Sequence, residues 1–159
     1  MAPTTKNGPA PVEPRVVLDA HRLLDQASLL ADDGDVVGNS AERLRVYYLA
    51  ALRTAGAALT VLESRRRGPR GERNAWTRLG AQASAARDDR GLAELARFFT
   101  GHSVLRQRIE TGLVDAVEQD VVARMRVRLA EFIAVTEGVL EDYEQGRELL
   151  AAAPAPRSA

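Results

Sequence analysis

The feature that most constrains the fold is a long apolar pattern between Asn39 and Arg65. Apolar residues recur there at steps of three and four, the spacing that places side chains on one face of an α-helix. The main stripe contains Leu44, Tyr48, Ala51, Leu52, Ala55, Leu59 and Leu62, and a weaker second stripe contains Val46, Ala50, Ala57 and Val61. Because a helix that is apolar on two faces is buried on both, this segment predicts the central helix of an all-helical domain. Asn39 and Glu42 at its start have the spacing of a capping box.

The rest of the chain predicts further helices, and it contains no alternating strand pattern. The other predicted helices are about Val16–Ala31, Asn74–Ala86, a segment from Gly91 that either reaches Glu110 or breaks at Gly101, and a last helix opened by Asp115 and Glu118. The turn-rich stretch DDGDVVGNS is predicted to end the first of them. The last helix has a core-facing stripe of Val122, Met125, Leu129, Phe132, Thr136, Val139 and Tyr143. We therefore expect an all-α, antiparallel up-and-down four-helix bundle with one short accessory helix.

Length and composition indicate one domain with a short tail at each end. Residues 1–14 and 148–159 are rich in proline, alanine and polar residues and are predicted to be disordered or flexible, which leaves a helical domain at 15–147. The net charge is zero, so binding to nucleic acid or to a membrane would need a local patch. The chain has no signal peptide pattern and no apolar run of membrane-spanning length, so we expect a soluble, cytoplasmic protein.

Metal and cofactor chemistry find little support in the sequence. The chain has no cysteine, which excludes disulfides and thiolate metal sites. Its two histidines, His21 and His102, lie outside the His-x-x-x-His and Glu-x-x-His spacings that metal sites on helices use. There is also no nucleophile elbow and no phosphate-cradling glycine loop. We expect neither a metal nor a cofactor.

Five arginines surround the loop that follows the central helix: Arg65, Arg66, Arg67, Arg70 and Arg73. One interpretation is a charged helix end, since cations are favoured near a helix C-terminus. The other is a phosphate-binding patch, which would make binding depend steeply on salt. We favour the helix end, because no aromatic residues interleave with the arginines to stack on bases.

The stretch LARFFTGHSVL contains Arg97 and, five residues later, His102. Metal-independent cleavage of RNA needs a base for the 2′-hydroxyl, which histidine supplies, and a cation for the phosphate, which arginine supplies. On a straight helix, however, five residues place the two side chains roughly 140° apart. They converge only if the helix breaks or if two subunits combine their pairs. The alternative is a packing segment, in which Phe98 and Phe99 face the core and His102 lies at its edge.

Four segments follow one another in a recognisable order: ERLRVYYLAALRTAGAALTVLESRR, NAWTRLG, LAELARFFTGHSVLRQRIETG and RLAEFIAVTEGVL. With them, roughly residues 16–142 resemble the HEPN superfamily, in a small single-domain branch found in actinobacteria. The resemblance implies a four-helix up-down bundle, often a homodimer, with RNA-associated roles. Many members are ribonucleases with an Arg-x(4–6)-His pair at the dimer cleft, and others bind RNA or neutralise toxins without the pair.

Arg97 and His102 fit that spacing but differ from active members in two ways. Phe98 follows the arginine where active members often carry a polar residue, and the pair ends the third long segment instead of opening the last helix. We therefore expect a non-catalytic HEPN-like module that forms a homodimer and binds a protein or RNA partner. The alternative is a metal-independent HEPN-type endoribonuclease that uses Arg97 and His102.

Overall fold

The computed structural model describes residues 10–86, 88 and 90–150, and every regular element in that part of the chain is an α-helix. The six helices are α1 (Pro14–Asp35), α2 (Ser40–Arg65), α3 (Ala75–Ser84), α4 (Leu92–Thr100), α5 (Ser103–Glu110) and α6 (Gln119–Glu144). None of the helices in these residues combines the length and apolarity needed to cross a membrane. The predicted all-helical class is confirmed. Most of the two predicted tails, residues 1–9 and 151–159, lies outside the described residues.

Helix α2 lies at the centre, where it packs against α1, α3, α5 and α6. Both predicted apolar stripes are buried, apart from Leu52, which is half-buried. The backbone N–H of Glu42 donates to Asn39 Oδ1 at 2.9 Å, so Asn39 caps the helix as predicted. The Glu42 carboxylate instead pairs with Arg45, and only one half of the capping box forms. Two buried faces explain why α2 contacts so many neighbours.

Helices α1 and α6 flank α2, with α1 antiparallel to it and α6 parallel to it. Near the start of α2, Tyr47 contacts Asp35 at the end of α1 and lies under the Arg126 guanidinium, 5.7 Å from ring centroid to Cζ. At the end of α2, Arg65 reaches Tyr143 near the end of α6. His21 in the first half of α1 contacts Glu144 at the end of α6. The order of these contacts along each helix gives the three directions.

Asp35 joins all three of these helices. Tyr47 Oη donates to Asp35 Oδ1 at 2.5 Å, and Arg126 donates to both carboxylate oxygens at 2.9 and 3.2 Å. The Arg126 guanidinium, assisted by Tyr47, holds the pKa of Asp35 below its ordinary value. Burial and the Asp35 carboxylate raise the pKa of Tyr47 to about 12, so its hydroxyl remains a donor at neutral pH.

The lowered pKa of Asp35 makes the stability of the fold depend on pH. A carboxyl group whose pKa is lower in the folded chain stabilises the fold above its unfolded pKa of about 3.9. That contribution is lost as the pH falls through the lower, folded-state value. We expect Asp35→Asn to reduce the free energy of unfolding at pH 7 and to have progressively less effect below about pH 4. Urea unfolding across this pH range checks it, and a difference that stays constant with pH would contradict it.

The predicted end of the first helix is wrong by about one turn. The sequence placed that end near Ala31, but α1 continues to Asp35. Gly34 lies flat against the Tyr47 ring, where a Cβ atom would come within 2.6 Å of Cε1. Tertiary contacts of Gly34 and Asp35 with α2 therefore hold the last turn of the helix against its turn-forming composition.

The predicted start of the last helix is also wrong. Helix α6 begins at Gln119, with Glu118 at the N-cap position and no side-chain cap, instead of at Asp115. The preceding segment is tied to the start of α2, because Asn39 Nδ2 donates to the Asp115 carbonyl at 3.1 Å and the Val117 N–H donates to Ser40 Oγ at 2.9 Å. These long-range bonds hold the backbone before α6 in a non-helical form.

The third long segment is broken into two helices, one of the two outcomes that the sequence allowed. Helix α4 ends at Thr100 and α5 begins at Ser103. Gly101 keeps helical torsion angles of −62° and −17°, and the departure occurs at His102, with −104° and 1°. The His102 N–H donates to the Phe99 carbonyl at 3.1 Å, a tighter step than an α-helix makes. The break therefore does not use the special freedom of glycine.

The short helix α3 enters the core through Trp76. Its indole ring stacks on Phe99, with centroids 5.1 Å apart and an angle of 17°, and its Nε1–H donates to Tyr48 Oη at 2.8 Å. Phe132 of α6 contacts both rings, with centroids 6.1 Å from Trp76 and 5.6 Å from Phe99. We call Tyr48, Trp76, Phe99 and Phe132 the aromatic cluster. It joins α2, α3, α4 and α6 in one core.

Candidate functional site

Arg97 and His102 lie on either side of the break between α4 and α5. Arg97 is exposed in the last turn of α4, and His102 is half-buried at the N-cap position of α5. The Gly101 N–H donates to the Arg97 carbonyl at 3.0 Å, so α4 closes its last turn normally before the chain departs from the helix.

The His102 side chain folds back onto Phe98. The two ring centroids are 4.5 Å apart, and His102 Nδ1 lies 2.8 Å from the Phe98 carbonyl oxygen. A carbonyl oxygen only accepts, so Nδ1 carries the proton and donates. This bond fixes the tautomer and leaves the lone pair of the neutral ring on Nε2. The side-chain hydrogen bond of His102 thus goes to Phe98 and not to Arg97, and joint action of the two predicted residues stays a prediction.

The Phe98 ring contacts two polar side chains, those of His102 and Arg128. The Arg128 guanidinium lies 5.6 Å from its ring centroid, and Arg128 also pairs with Glu94 and Glu131. Phe99, the next residue, points into the aromatic cluster and is fully buried. Phe99 therefore lies inside the core, and Phe98 is half-buried at the edge of the core, where the His102 ring packs on it.

Arg65 differs from the other four arginines of this region because its side chain contacts the end of α6. It is the last residue of α2, and its guanidinium donates to the Tyr143 carbonyl at 3.3 Å and to the Arg147 carbonyl. Its Cζ atom also lies 4.7 Å from the Tyr143 ring centroid. Arg65 thus hydrogen-bonds carbonyl groups at the C-terminal end of α6, where cations are favoured. Arg65 therefore lies near the C-terminal ends of two helices, since it is the last residue of α2 and its side chain bonds a carbonyl of α6.

The remaining arginines of the loop, Arg66, Arg67, Arg70 and Arg73, are exposed. Arg67 and Arg70 line a groove of about 380 Å³ together with Glu63, Glu72 and Arg78. Arg78 pairs with Glu63, which accepts from Arg78 Nε at 3.1 Å. Two carboxylates therefore offset part of the positive charge around this groove, and a phosphate-binding patch at these residues stays a prediction.

A larger cavity lies where the C-terminal ends of α2 and α6 meet. Its volume is about 410 Å³, and its polar lining includes Arg65, Arg66, Arg147 and Gln82. The sequence did not indicate Arg147 or Gln82 as site residues. Arg147 is 82 positions from Arg65, and Gln82 lies in a helix whose pattern showed only its apolar face. Only the tertiary fold brings them together.

The second histidine, His21, lies on the surface between α1 and α6. Its Nε2 atom is 2.6 Å from Glu144 Oε1, and both side chains are exposed. Within the described part of the chain, no three histidine, aspartate or glutamate side chains come together in a way that would hold a metal ion. The expected absence of a metal stays a prediction.

The described residues define an all-helical protein with an arginine and a histidine on either side of a helix break. A family model described as HEPN_SAV_6107-like HEPN matches residues 35–137, which is more than half of the chain. The chain therefore belongs to the HEPN superfamily, as the sequence pattern predicted. The match includes the five arginines of the loop as well as Arg97 and His102. Neither a search of curated proteins nor a search of solved structures found a match.

Proposed function

We propose that this protein is a non-catalytic HEPN module that forms a homodimer and binds a protein or RNA partner. The observation that carries the proposal is the packing of the half-buried His102 ring on Phe98, without a hydrogen bond to Arg97 in the described part of the chain. A general acid or base acts on a proton within about 3 Å. For His102 to reach a ribose hydroxyl next to a phosphate held by Arg97, both side chains have to face one groove, and the contacts of His102 are with Phe98 instead.

A metal-independent endoribonuclease is the second candidate, and one observation favours it. The Phe98 carbonyl holds His102 in the tautomer whose Nε2 atom is a free base, which is how general-base histidines are oriented. Arg97 is exposed one helical turn before the break and is free to meet a phosphate from solvent. In a homodimer, a second copy would supply another pair at the same cleft.

The proposed architecture is an up-and-down bundle in which α3, α4 and α5 together take the place of one long helix. Helices α1, α2 and α6 supply the other three, with the directions given above. We propose that the domain includes residues 15–147 and also the next two residues, because Leu149 is 7 % exposed and packs in the core. We further propose that the protein works in the cytoplasm. Sedimentation tests the proposed homodimer, because it measures the mass of the protein in solution.

In this proposal, RNA binds to the arginine loop, which is the exposed segment after α2 that contains Arg66, Arg67, Arg70 and Arg73. We expect the triple variant Arg66→Ser, Arg67→Ser and Arg70→Ser to unfold within about 0.5 kcal/mol of wild type, because exposed side chains without buried contacts contribute little. RNA affinity should fall several-fold at low salt, and the wild-type affinity should weaken with rising salt as phosphate contacts do. Fluorescence anisotropy with a short labelled RNA measures both.

Unchanged RNA affinity in the triple variant would remove the loop from the proposal. Arg15→Ser, Arg22→Ser and Arg53→Ser together are the matched control, since these arginines are exposed elsewhere and the change in net charge is the same. Equal losses in both triple variants would mean that charge alone, and not the loop, controls binding.

A further inference from the structure

The cavity between the ends of α2 and α6 has the size and lining of a small-molecule site. Its volume of about 410 Å³ falls within the range of about 300 to 1,000 Å³ that is usual for ligand pockets. One part of its wall is apolar, with Leu62 and Leu149 among the lining residues, and another part is cationic, with Arg65, Arg66 and Arg147. A pocket with these two kinds of wall fits a ligand that has an anionic group and an apolar or aromatic body.

The guanidinium group of Arg65 has unused hydrogen-bonding capacity at this cavity. An arginine has five N–H donors, and the described residues accept from two nitrogens of Arg65, at the Tyr143 and Arg147 carbonyls. Its Nε atom is buried away from the cavity, so the donors left for a ligand are the second N–H groups on its two terminal nitrogens. The carbonyls at the end of α6 carry partial negative charge, which the same guanidinium offsets. Their repulsion of a bound anion is reduced accordingly.

The positive charge of the lining exceeds the negative charge beside it. Three arginines line the cavity against one carboxylate, Glu148, which is exposed. Arg147 donates to Asp142 from Nε and Nη2, at 2.9 and 2.7 Å, and to Gln145 from Nη1, which leaves two of its five N–H groups for a ligand. Asp142 also accepts from Arg90. The Asp142 carboxylate therefore pairs with both Arg90 and Arg147, and these three side chains together keep a net positive charge.

We infer that this cavity binds a phosphomonoester, with the phosphate against Arg65, Arg66 and Arg147 and the rest of the ligand against Leu62 and Leu149. Three guanidinium groups offer more N–H donors than the two oxygens of a ligand carboxylate can accept, so a phosphate matches the site better. A phosphomonoester has three terminal oxygens and close to two negative charges at neutral pH, and arginine matches phosphate geometry well. The same chemistry occurs in a free ester and at the terminal phosphate of an RNA strand. Binding of a free ester does not depend on the function proposed above.

Two matched pairs of probes test the inference by calorimetry on the full chain in about 50 mM salt, where phosphate contacts are strong. The first pair is AMP and adenosine, and the second is one short RNA with a 5′-phosphate or a 5′-hydroxyl. We expect AMP to bind and adenosine not to bind. If the site also takes RNA ends, the 5′-phosphorylated strand binds more tightly than its 5′-hydroxyl counterpart. If only AMP binds, the ligand is a free ester.

Neighbouring arginines supply the control. Arg66 lines the cavity, whereas Arg67 lines the separate groove beside Glu63, and both side chains are exposed. Arg66→Ala is expected to weaken AMP about tenfold, the loss for one charge-assisted hydrogen bond, and Arg67→Ala less than twofold. Equal effects of the two variants, or equal binding of AMP and adenosine, would overturn the inference, as would no AMP binding at millimolar concentration. RNA that binds equally with either 5′ end, while AMP does not bind, keeps the proposed function and removes this site.

Discussion

Replacing Phe99 with alanine is expected to lower the free energy of unfolding by about 3 to 5 kcal/mol, the usual loss for a buried phenylalanine. Phe99 is fully buried and lies against four other aromatic rings, with Trp76 stacked on it and Tyr48, Phe98 and Phe132 beside it. Four helices meet at this cluster, so the chain has little freedom to collapse into the space that the ring leaves. Urea unfolding of the variant and the wild type measures the difference.

His102→Ala provides the contrast within the same segment. Its side chain is half-buried and makes no cap bond to α5, so we expect a loss below about 1 kcal/mol, the net value of one ordinary hydrogen bond. A large loss for His102→Ala together with a small loss for Phe99→Ala would show that this segment is packed differently. The expected order follows from burial, and it does not depend on the proposed function.

Leu59→Asp is expected to prevent folding or to lower the free energy of unfolding by several kcal/mol. Leu59 is 2 % exposed in the C-terminal half of α2, and a lone carboxylate there would lose its hydration without gaining a partner. A change of this size is comparable to the whole stability of a typical domain. Circular dichroism and thermal unfolding of the purified variant show whether a helical fold remains.

Leu52→Asp is the matched control for that change, since it alters the same residue type on the same helix. Leu52 is half-buried, so its carboxylate would keep part of its hydration and the loss should be clearly smaller. If both variants melt close to wild type, α2 does not lie at the centre of the core. If Leu52→Asp is the more harmful of the two, the buried face of α2 is assigned to the wrong side.

The periodicity of the sequence predicted the central helices well because their contacts are determined by their own apolar spacing. All seven residues of the predicted α6 stripe are buried, from Val122 to Tyr143, and so are ten of the eleven stripe residues of α2. These helices have enough turns for a pattern to repeat, and burial of one face supplies most of their stability. Local spacing therefore carried most of the information.

The helix ends were predicted less well, because residues far apart in the chain determine them. Gly34 and Asp35 have the composition of a turn, yet contacts with Tyr47 and Arg126 keep them helical. Asp115 has the composition of a cap, yet its carbonyl accepts from Asn39 in a segment that stays non-helical. No local pattern reports such partners before the fold is known.

The candidate site shows the same division. The spacing of Arg97 and His102 indicated a candidate pair, and the alternative was a packing segment in which Phe98 and Phe99 face the core and His102 lies at its edge. In the structure, the His102 ring contacts Phe98, four residues earlier, which is the spacing of neighbours on one face of a helix. The contact of Arg65 with the end of α6 depends on Tyr143, which is 78 positions away, so the sequence around Arg65 did not predict it.

RNA cleavage in the presence of EDTA measures most directly whether His102 is catalytic. Wild type and His102→Ala are purified in the same way and incubated with structured and single-stranded RNA, after circular dichroism has shown that both are folded. We expect the two proteins to give the same background of cleavage, since the His102 ring is half-buried on Phe98 and makes no hydrogen bond to Arg97 within the described residues. Cleavage by wild type alone, with products that end in a 2′,3′-cyclic phosphate, would contradict the proposed function and make Arg97 and His102 a ribonuclease pair.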